Sequence, residues 1–264
     1  MLDATSPTPA GRVVLLAGDC DSTRAIYHAL TRGTPVARVV LESSVPRTQL
    51  LWRRAKKLGV HAAASQAAFV AIAVPILRAV SRRRIDALRE RLGAGTPIPA
   101  EAVLRVPSVN APECIAALRA LAPAVVVLSG TRILSREVLQ NVPATFINVH
   151  AGITPRYRGT HGAYWAYAEG RPGSAGVTVH VVDPGIDTGE ILAQARVERG
   201  PRDNFVTLPY LQLQAGLPLL VDAVRAALAG EIRTVTSLDA SASRLFHHPG
   251  LVEYARNWIT RGAR

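Results

Sequence analysis

The sequence predicts an α/β protein: a Rossmann-like open twisted sheet, mostly parallel, with antiparallel strands late in the chain and helices on both faces. Three observations predict it. Arg12 to Ala17 (RVVLLA) and Ala124 to Leu128 (AVVVL) are short, apolar and without polar alternation, as strands buried on both faces are. The first forty residues read as strand, helix, strand, the unit that builds a doubly wound sheet. After His150 the period changes to loops, a short helix and two strands around the turn-rich DPGIDTG.

In order, the first strand ends at a Gly18 turn, and a helix follows over Ser22 to Arg32. Pro35 opens a second strand, Val36 to Leu41. A helix ending near Leu118 feeds Ala124 to Leu128, and a helix over Arg136 to Gln140 feeds Thr145 to Val149 (TFINV). A short helix over Gly162 to Glu169 precedes strands Gly176 to Val182 and Ile191 to Val197, expected to be antiparallel neighbours. Val206 to Ala229 looks helical but interrupted by Gly216 and Pro218, and the tail from Gly230 has weak periodicity and no second core. The domain reading is a catalytic unit over 1–230 with a basic helical insertion at about 46–91, then a short extension over 231–264.

Composition narrows the class. In 264 residues, 48% are hydrophobic and 19% charged, with 20 Gly and 18 Pro, which excludes disordered and collagen-like chains. Cys20 and Cys114 lack any metal-ligand or CxxC spacing, so neither a disulfide framework nor a zinc site is indicated and a reducing cytoplasm is the expected setting. Met1 to Arg12 lacks the basic-then-apolar order of a signal peptide. The longest unbroken apolar run, Ala67 to Leu77, has 11 residues against the roughly 20 that span a bilayer, so no integral membrane segment is expected.

The formal charge is +12. Pro46 to Arg91 holds eleven cations and two anions, a net of 11 − 2 = +9, so the imbalance is local. Its apolar stretch AAFVAIAVPIL lies between LWRRAKK and LRAVSRRR. That order suits two helices, bent at Pro75, that pack beside the cleft or against a homodimer mate; it also suits a helix lying on an anionic membrane. Packing is the commoner fate of so short a run. Arg82, Arg83 and Arg84 read as a solvated face.

The chemistry concentrates later. Asn148 and His150 lie two apart at the carboxyl end of a strand, so they share one side of the sheet edge where open α/β sheets bind ligands. Asp187 follows in Asp183-Pro-Gly185-Ile186-Asp187-Thr-Gly189, a turn whose glycines let a ligand approach the backbone. Together with Pro155-Arg-Tyr157-Arg158-Gly159, Gly176-Val-Thr-Val-His180 and Leu128-Ser-Gly-Thr-Arg132-Ile133-Leu134, these motifs resemble the folate-dependent formyltransferases: methionyl-tRNA, glycinamide ribonucleotide and amino-sugar N-formyltransferases. The resemblance is strongest from about Ala122 to Gln194.

It implies transfer of formyl from the cosubstrate 10-formyltetrahydrofolate to an amine, with Asn148, His150 and Asp187 catalytic and no metal. It also implies a donor pocket from Arg132, Ile133, Leu134, Asp183, Gly185, Ile186 and Gly189, and acceptor contacts from Thr154, Tyr157, Arg158 and His161. A histidine with an ordinary pKa near 6.5 suits the proton transfer, a carboxylate orients its ring, and an amide donates to a developing oxyanion. His180, inside a strand, reads as a hydrogen-bonded structural residue. His247 and His248 lack a companion ligand set, and Tyr164 and Trp165 suit core packing or the acceptor side.

Departures from the family pattern shape the substrate expectation. The loop after His150 reads Ala-Gly-Ile-Thr154-Pro155, which implies an atypical acceptor. The first turn, Gly18-Asp19-Cys20-Asp21-Ser22, puts carboxylates at a helix start, where they suit capping or, for Asp19, a cationic acceptor amine, and would repel a phosphate. The 34 residues after Gly230 are too few for the C-terminal barrel of methionyl-tRNA formyltransferases. The expectation is therefore a small-molecule amine (amino sugar, amino acid or biosynthetic intermediate) and no tRNA. The alternatives are a 10-formyltetrahydrofolate hydrolase and a non-catalytic basic module for RNA or membranes.

Overall fold

The computed structural model describes residues 12–264; the signal-peptide reading of Met1 to Gly11 lies outside them. The elements are β1 (Val13–Ala17), α1 (Asp21–Thr31), β2 (Val36–Glu42), α2 (Arg47–Leu58), α3 (Val60–Ala68), a π-helical turn (Phe69–Ala73), α4 (Val74–Val80), α5 (Arg82–Leu92), β3 (Val103–Val106), α6 (Pro112–Leu121), β4 (Val125–Ser129), α7 (Arg136–Asn141), β5 (Thr145–His150), β6 (Tyr157–Gly159), α8 (Gly162–Ala168), β7 (Gly176–Val181), β8 (Ile191–Arg196), α9 (Leu208–Ala229), β9 (Arg244–Phe246) and α10 (Leu251–Arg261).

Seven strands form one sheet in the order β3-β2-β1-β4-β5-β7-β8. The first five are parallel, and β7 and β8 are antiparallel, which is the predicted Rossmann-like architecture. The strand period of two divides β1 between two cores. Val13, Leu15 and Ala17 join the face covered by α1 and α9, while Val14 and Leu16 join the face with Cys114, Leu118 and Val138. Every β1 side chain is fully buried, as befits an interior strand between β2 and β4.

Several elements were hidden in the sequence. The tail carries β9, which pairs with β6, and α10; Phe246, Tyr254 and Ala263 enter a third, aromatic core with Phe69, Tyr157, Tyr164 and Phe205. The expected break in α9 is absent, because Gly216 lets the helix lie against Val149 and Val177 and Pro218 is carried inside it.

The insertion also differs from expectation. Instead of two helices bent at Pro75, α3, the π turn and α4 form one stretch, Val60–Val80, of 21 residues, whose most apolar 18 have mean hydropathy 1.8. A widened turn explains the continuity: the Val74 N–H bonds the Phe69 carbonyl, an i→i−5 link, and Pro75 sits in the first turn of α4, where its missing N–H costs little. This stretch passes the length and composition measure for a membrane span, against the expectation from the unbroken run alone, because His61, Ser65 and Gln66 are polar without being charged. Arg84 is not a solvated cation. Its guanidinium bonds the buried Asp203 carboxylate at 2.8 Å, and Arg89 pairs with Asp21 at 2.9 Å, so two of the cations clamp the insertion to the body.

Candidate active site

The carboxyl end of β5 carries the cleft. β5 pairs antiparallel with β7 so that Asn148 faces His180 and His150 faces Thr178. Asp187 reaches the same place from the turn after β7, in a left-handed conformation at φ 51°. The result is a cluster. His150 Nδ1 lies 3.3 Å from Asp187 Oδ2, and His180 Nε2 lies 3.6 Å from Asp187 Oδ1. Asn148 Nδ2 lies 3.1 Å from His180 Nε2. Asp187 also accepts the Gly159 N–H at 2.9 Å.

His150 is only 5% exposed, and its Nε2 lies 2.7 Å from the Tyr157 carbonyl oxygen. Both ring nitrogens thus face acceptors, which a neutral imidazole with one N–H cannot satisfy together. Protonation would satisfy both. Burial works the other way and holds His150 below its ordinary value of 6.5, against the raising influence of Asp187 and the Tyr157 carbonyl and with a further lowering from His180. For Asp187, burial is the largest influence and raises its carboxyl. The His180 hydrogen bond, the His150 ring and the Gly159 N–H together outweigh it, so the group lies below the usual carboxylate range. The site therefore holds a carboxylate beside a ring that burial favours in its neutral form, with protein acceptors at both nitrogens when it is protonated.

The cleft measures about 310 Å³ and is lined by Gly130, Thr131, Arg132, Ile133 and Leu134 on one side, Asn148 and His150 at its base, and Asp183, Gly185, Ile186 and Asp187 on the other. Arg132 contributes backbone and stem more than charge. Its N–H bonds the buried Glu42 carboxylate at 2.6 Å and its guanidinium bonds Glu42 and the Ser43 carbonyl, so the ion pair braces the segment that carries Ile133, itself 60% exposed. Gly189 lies behind the turn, where a Cβ would meet the Val181 carbonyl oxygen at 1.8 Å.

The residues expected at the acceptor are not all brought together. Thr154 is 3% exposed and turned into the protein, and Tyr157 is fully buried with its hydroxyl on Glu169; its carbonyl, not its ring, reaches His150. Arg158 donates to the Ile186 carbonyl at 3.1 Å, steadying the turn that carries Asp187. His161, at φ 61°, lines a neighbouring cleft of about 870 Å³ with Cys20, Val74, Arg78 and Phe205. Asp19 and Asp21 do not cap α1 by a side chain. Arg24 pairs with both, and Arg89 and Tyr210 hold Asp21 as well, so little free negative charge remains there to repel an anion.

Two contributors were missed by the sequence reading. His180 is part of the cluster because β7 pairs antiparallel with β5 and sets it opposite Asn148, a register that the expected pairing of the two strands after His150 with each other does not give. Gly152 is the other. A Cβ there would stand 2.3 Å from the Tyr157 carbonyl oxygen and 2.7 Å from His150 Nε2, so only glycine lets the ring keep its place.

A family model described as formyl transferase matches residues 12–224. The chain belongs to the formyl transferase family. Among its relatives, methionyl-tRNA formyltransferase of Anaeromyxobacter dehalogenans is 39% identical over 142 residues, covering 53% of this chain and 45% of that protein. The chain thus spans about half the length of the curated relatives it matches. Glycinamide ribonucleotide transformylase 1 from Symbiobacterium toebii superimposes with a TM-score of 0.56 at 21% identity over 86% of this chain and 94% of its own. A sugar N-formyltransferase from Shewanella sp. does so with a TM-score of 0.54 at 15% identity over 89% and 76%. At those identities the two structures speak for the fold.

The relatives correct the expected partner. A small-molecule amine with tRNA excluded does not stand against formyl transferase relatives that are named for methionyl-tRNA. The exclusion rested on counting residues after Gly230, and that count does not bear on the acceptor for which those relatives are named.

Proposed function

We propose that this formyl transferase moves the formyl group of 10-formyltetrahydrofolate to a primary amine, with the amine of a charged tRNA as the first acceptor class to test. The observation that carries the reading is the convergence of Asn148, His150, Asp187 and His180 on one cleft at the sheet edge. The relatives named for methionyl-tRNA support the acceptor. The cleft suits the donor, since Leu128, Ile133, Leu134 and Val182 offer apolar walls and the turn over 183–187 offers a polar edge, the mix expected of a site for a flat heterocycle. The donor supplies an electrophilic formyl carbon.

The chain supplies the rest. The Asn148 amide donates to the formyl oxygen as it gathers negative charge, the kind of contact worth about 10² to 10³ in rate. As the amine attacks the formyl carbon and the carbon–nitrogen bond to the donor breaks, His150 Nε2 exchanges the Tyr157 carbonyl for the amine. It takes the proton that the amine must lose and returns it to the departing donor nitrogen, while Nδ1–H stays on Asp187, which holds the charged ring in place. His180 positions Asn148. We read the catalytic unit as 1–230, with 46–91 inserted and 231–264 appended, in a cytoplasmic setting that two free cysteines suit.

The test is formyl transfer from radiolabelled 10-formyltetrahydrofolate to methionyl-tRNA, read as acid-precipitable label that base hydrolysis releases as formylmethionine. Label in that product, lost in a folded His150→Ala variant, supports the reading. Release of free formate with no amine product would make the chain a hydrolase, and turnover that survives His150→Ala would remove the proposed site.

A further inference from the structure

The Val60–Val80 stretch is long and apolar enough to cross a bilayer, yet only 22% of its most apolar part is buried. Its inner stripe is committed. Ala63, Gln66, Phe69 and Leu77 are buried, with Phe69 ringed by Phe205 and Tyr254 at 4.9 Å each and the Gln66 amide donating to the His248 carbonyl at 2.8 Å. A helix so anchored lies along the protein and cannot leave to span a membrane. Its outer face is another matter: Val60 (71% exposed), Ile72 (52%), Ile76 (57%) and Val80 (74%) stand in solvent, with exposed Ala62, Ala64, Ala71 and Ala79 among them. Trp258 of α10, half exposed, shares a cleft with Leu77 and Val80.

The borders of this face are cationic. Lys56 and Lys57 precede it and Arg83 follows, all exposed, while Arg78 and Arg82, also exposed, border the neighbouring cleft; within Val60–Val80 there is no Asp or Glu. A patch of aliphatic side chains rimmed by cations and a tryptophan matches the boundary of an anionic bilayer, where apolar groups enter the acyl region and cations meet headgroups. An RNA partner would use the cations and leave the aliphatic face wet. A second copy would bring the same positive rim against itself.

We propose that this face is a peripheral docking surface for an anionic lipid bilayer. The helix lies in the plane of the interface, held from below by Phe69 and Gln66. The arrangement is independent of which amine the catalytic cleft serves.

The experiment is flotation of the full chain with vesicles of phosphatidylcholine containing phosphatidylglycerol, beside vesicles of phosphatidylcholine alone. Expected is binding to the anionic vesicles that falls at least tenfold in 0.5 M salt, and at least tenfold in the Ile72→Asp/Ile76→Asp variant and in Lys56→Glu/Lys57→Glu/Arg83→Glu. The melting temperature and turnover in solution should stay at the parent's values. Absence of binding at low salt overturns the proposal. So does vesicle binding that Ile72→Asp/Ile76→Asp leaves intact, and so does a dimer of the parent that this variant dissolves, which would give the face to a second copy.

Discussion

The cleft at the end of β5 and the helix over Val60–Val80 treat unsatisfied surface in opposite ways. In the cleft, nearly every polar atom has a partner: Asp187 alone touches His150, His180 and the Gly159 amide. On the helix, large aliphatic side chains stand exposed among the described residues. Buried polar groups are costly when unpaired, so the paired network explains itself through folding. Exposed apolar groups gathered in one patch do not, and they mark surfaces that meet something else. The comparison separates what the chain needs in order to be folded from what it holds out for a partner.

The largest expected effect tests the anchored side of the helix. Phe69→Ala should lose about 3 to 5 kcal/mol, read by chemical denaturation, because the ring is fully buried among aromatics. A loss below about 1 kcal/mol would mean that the insertion is loosely attached. The same burial makes Phe69 unsuitable as a probe of the outer face.

Next comes the cleft. Asn148→Ala and His150→Ala should each lower kcat/KM by about 10² to 10³, and Gly152→Ala should lower kcat through displacement of the His150 ring, with the fold retained by circular dichroism. An active Gly152→Ala enzyme would show that the ring does not need its present seat.

A subtler effect appears in the pH profile. Burial holds the folded His150 pKa below 6.5, so neutral ring persists into mildly acidic solution and the acid limb of kcat/KM should lie below 6.5. Asp187 raises that pKa, so Asp187→Asn should move the limb still lower while reducing the plateau. A limb at or above 6.5 in the parent would contradict the buried, neutral resting state. The smallest effect is on the outer face: Ile76→Asp should change stability by no more than about 0.5 kcal/mol, and a larger loss would show the face to be packed after all.

How much of this was legible follows the physics of each segment. The buried parallel strands announce themselves because they are apolar on both faces, and Asn148, His150 and Asp187 stand out through spacing and through resemblance. The three-residue strands β6 and β9 carry no periodicity of their own; each is defined by pairing with a segment more than eighty residues away. The role of His180 depends on strand register, which its own neighbours in sequence do not encode. Within the insertion, Pro75 signals a bend, but whether a π turn upstream absorbs it is decided by how Phe69 seats in the aromatic core. Asp19 and Asp21 look like free charge until Arg24 and Arg89 arrive from the fold.

The β6–β9 ribbon bears on the order of events during synthesis. Tyr157 and Gly159, whose backbone groups hold His150 and Asp187, lie in β6, and its partner β9 is made only after α9 is complete. Chains leave the ribosome from the amino end. A nascent chain that already contains the whole seven-stranded sheet still lacks Arg244 to Phe246, the strand paired with the segment whose backbone groups hold His150 and Asp187.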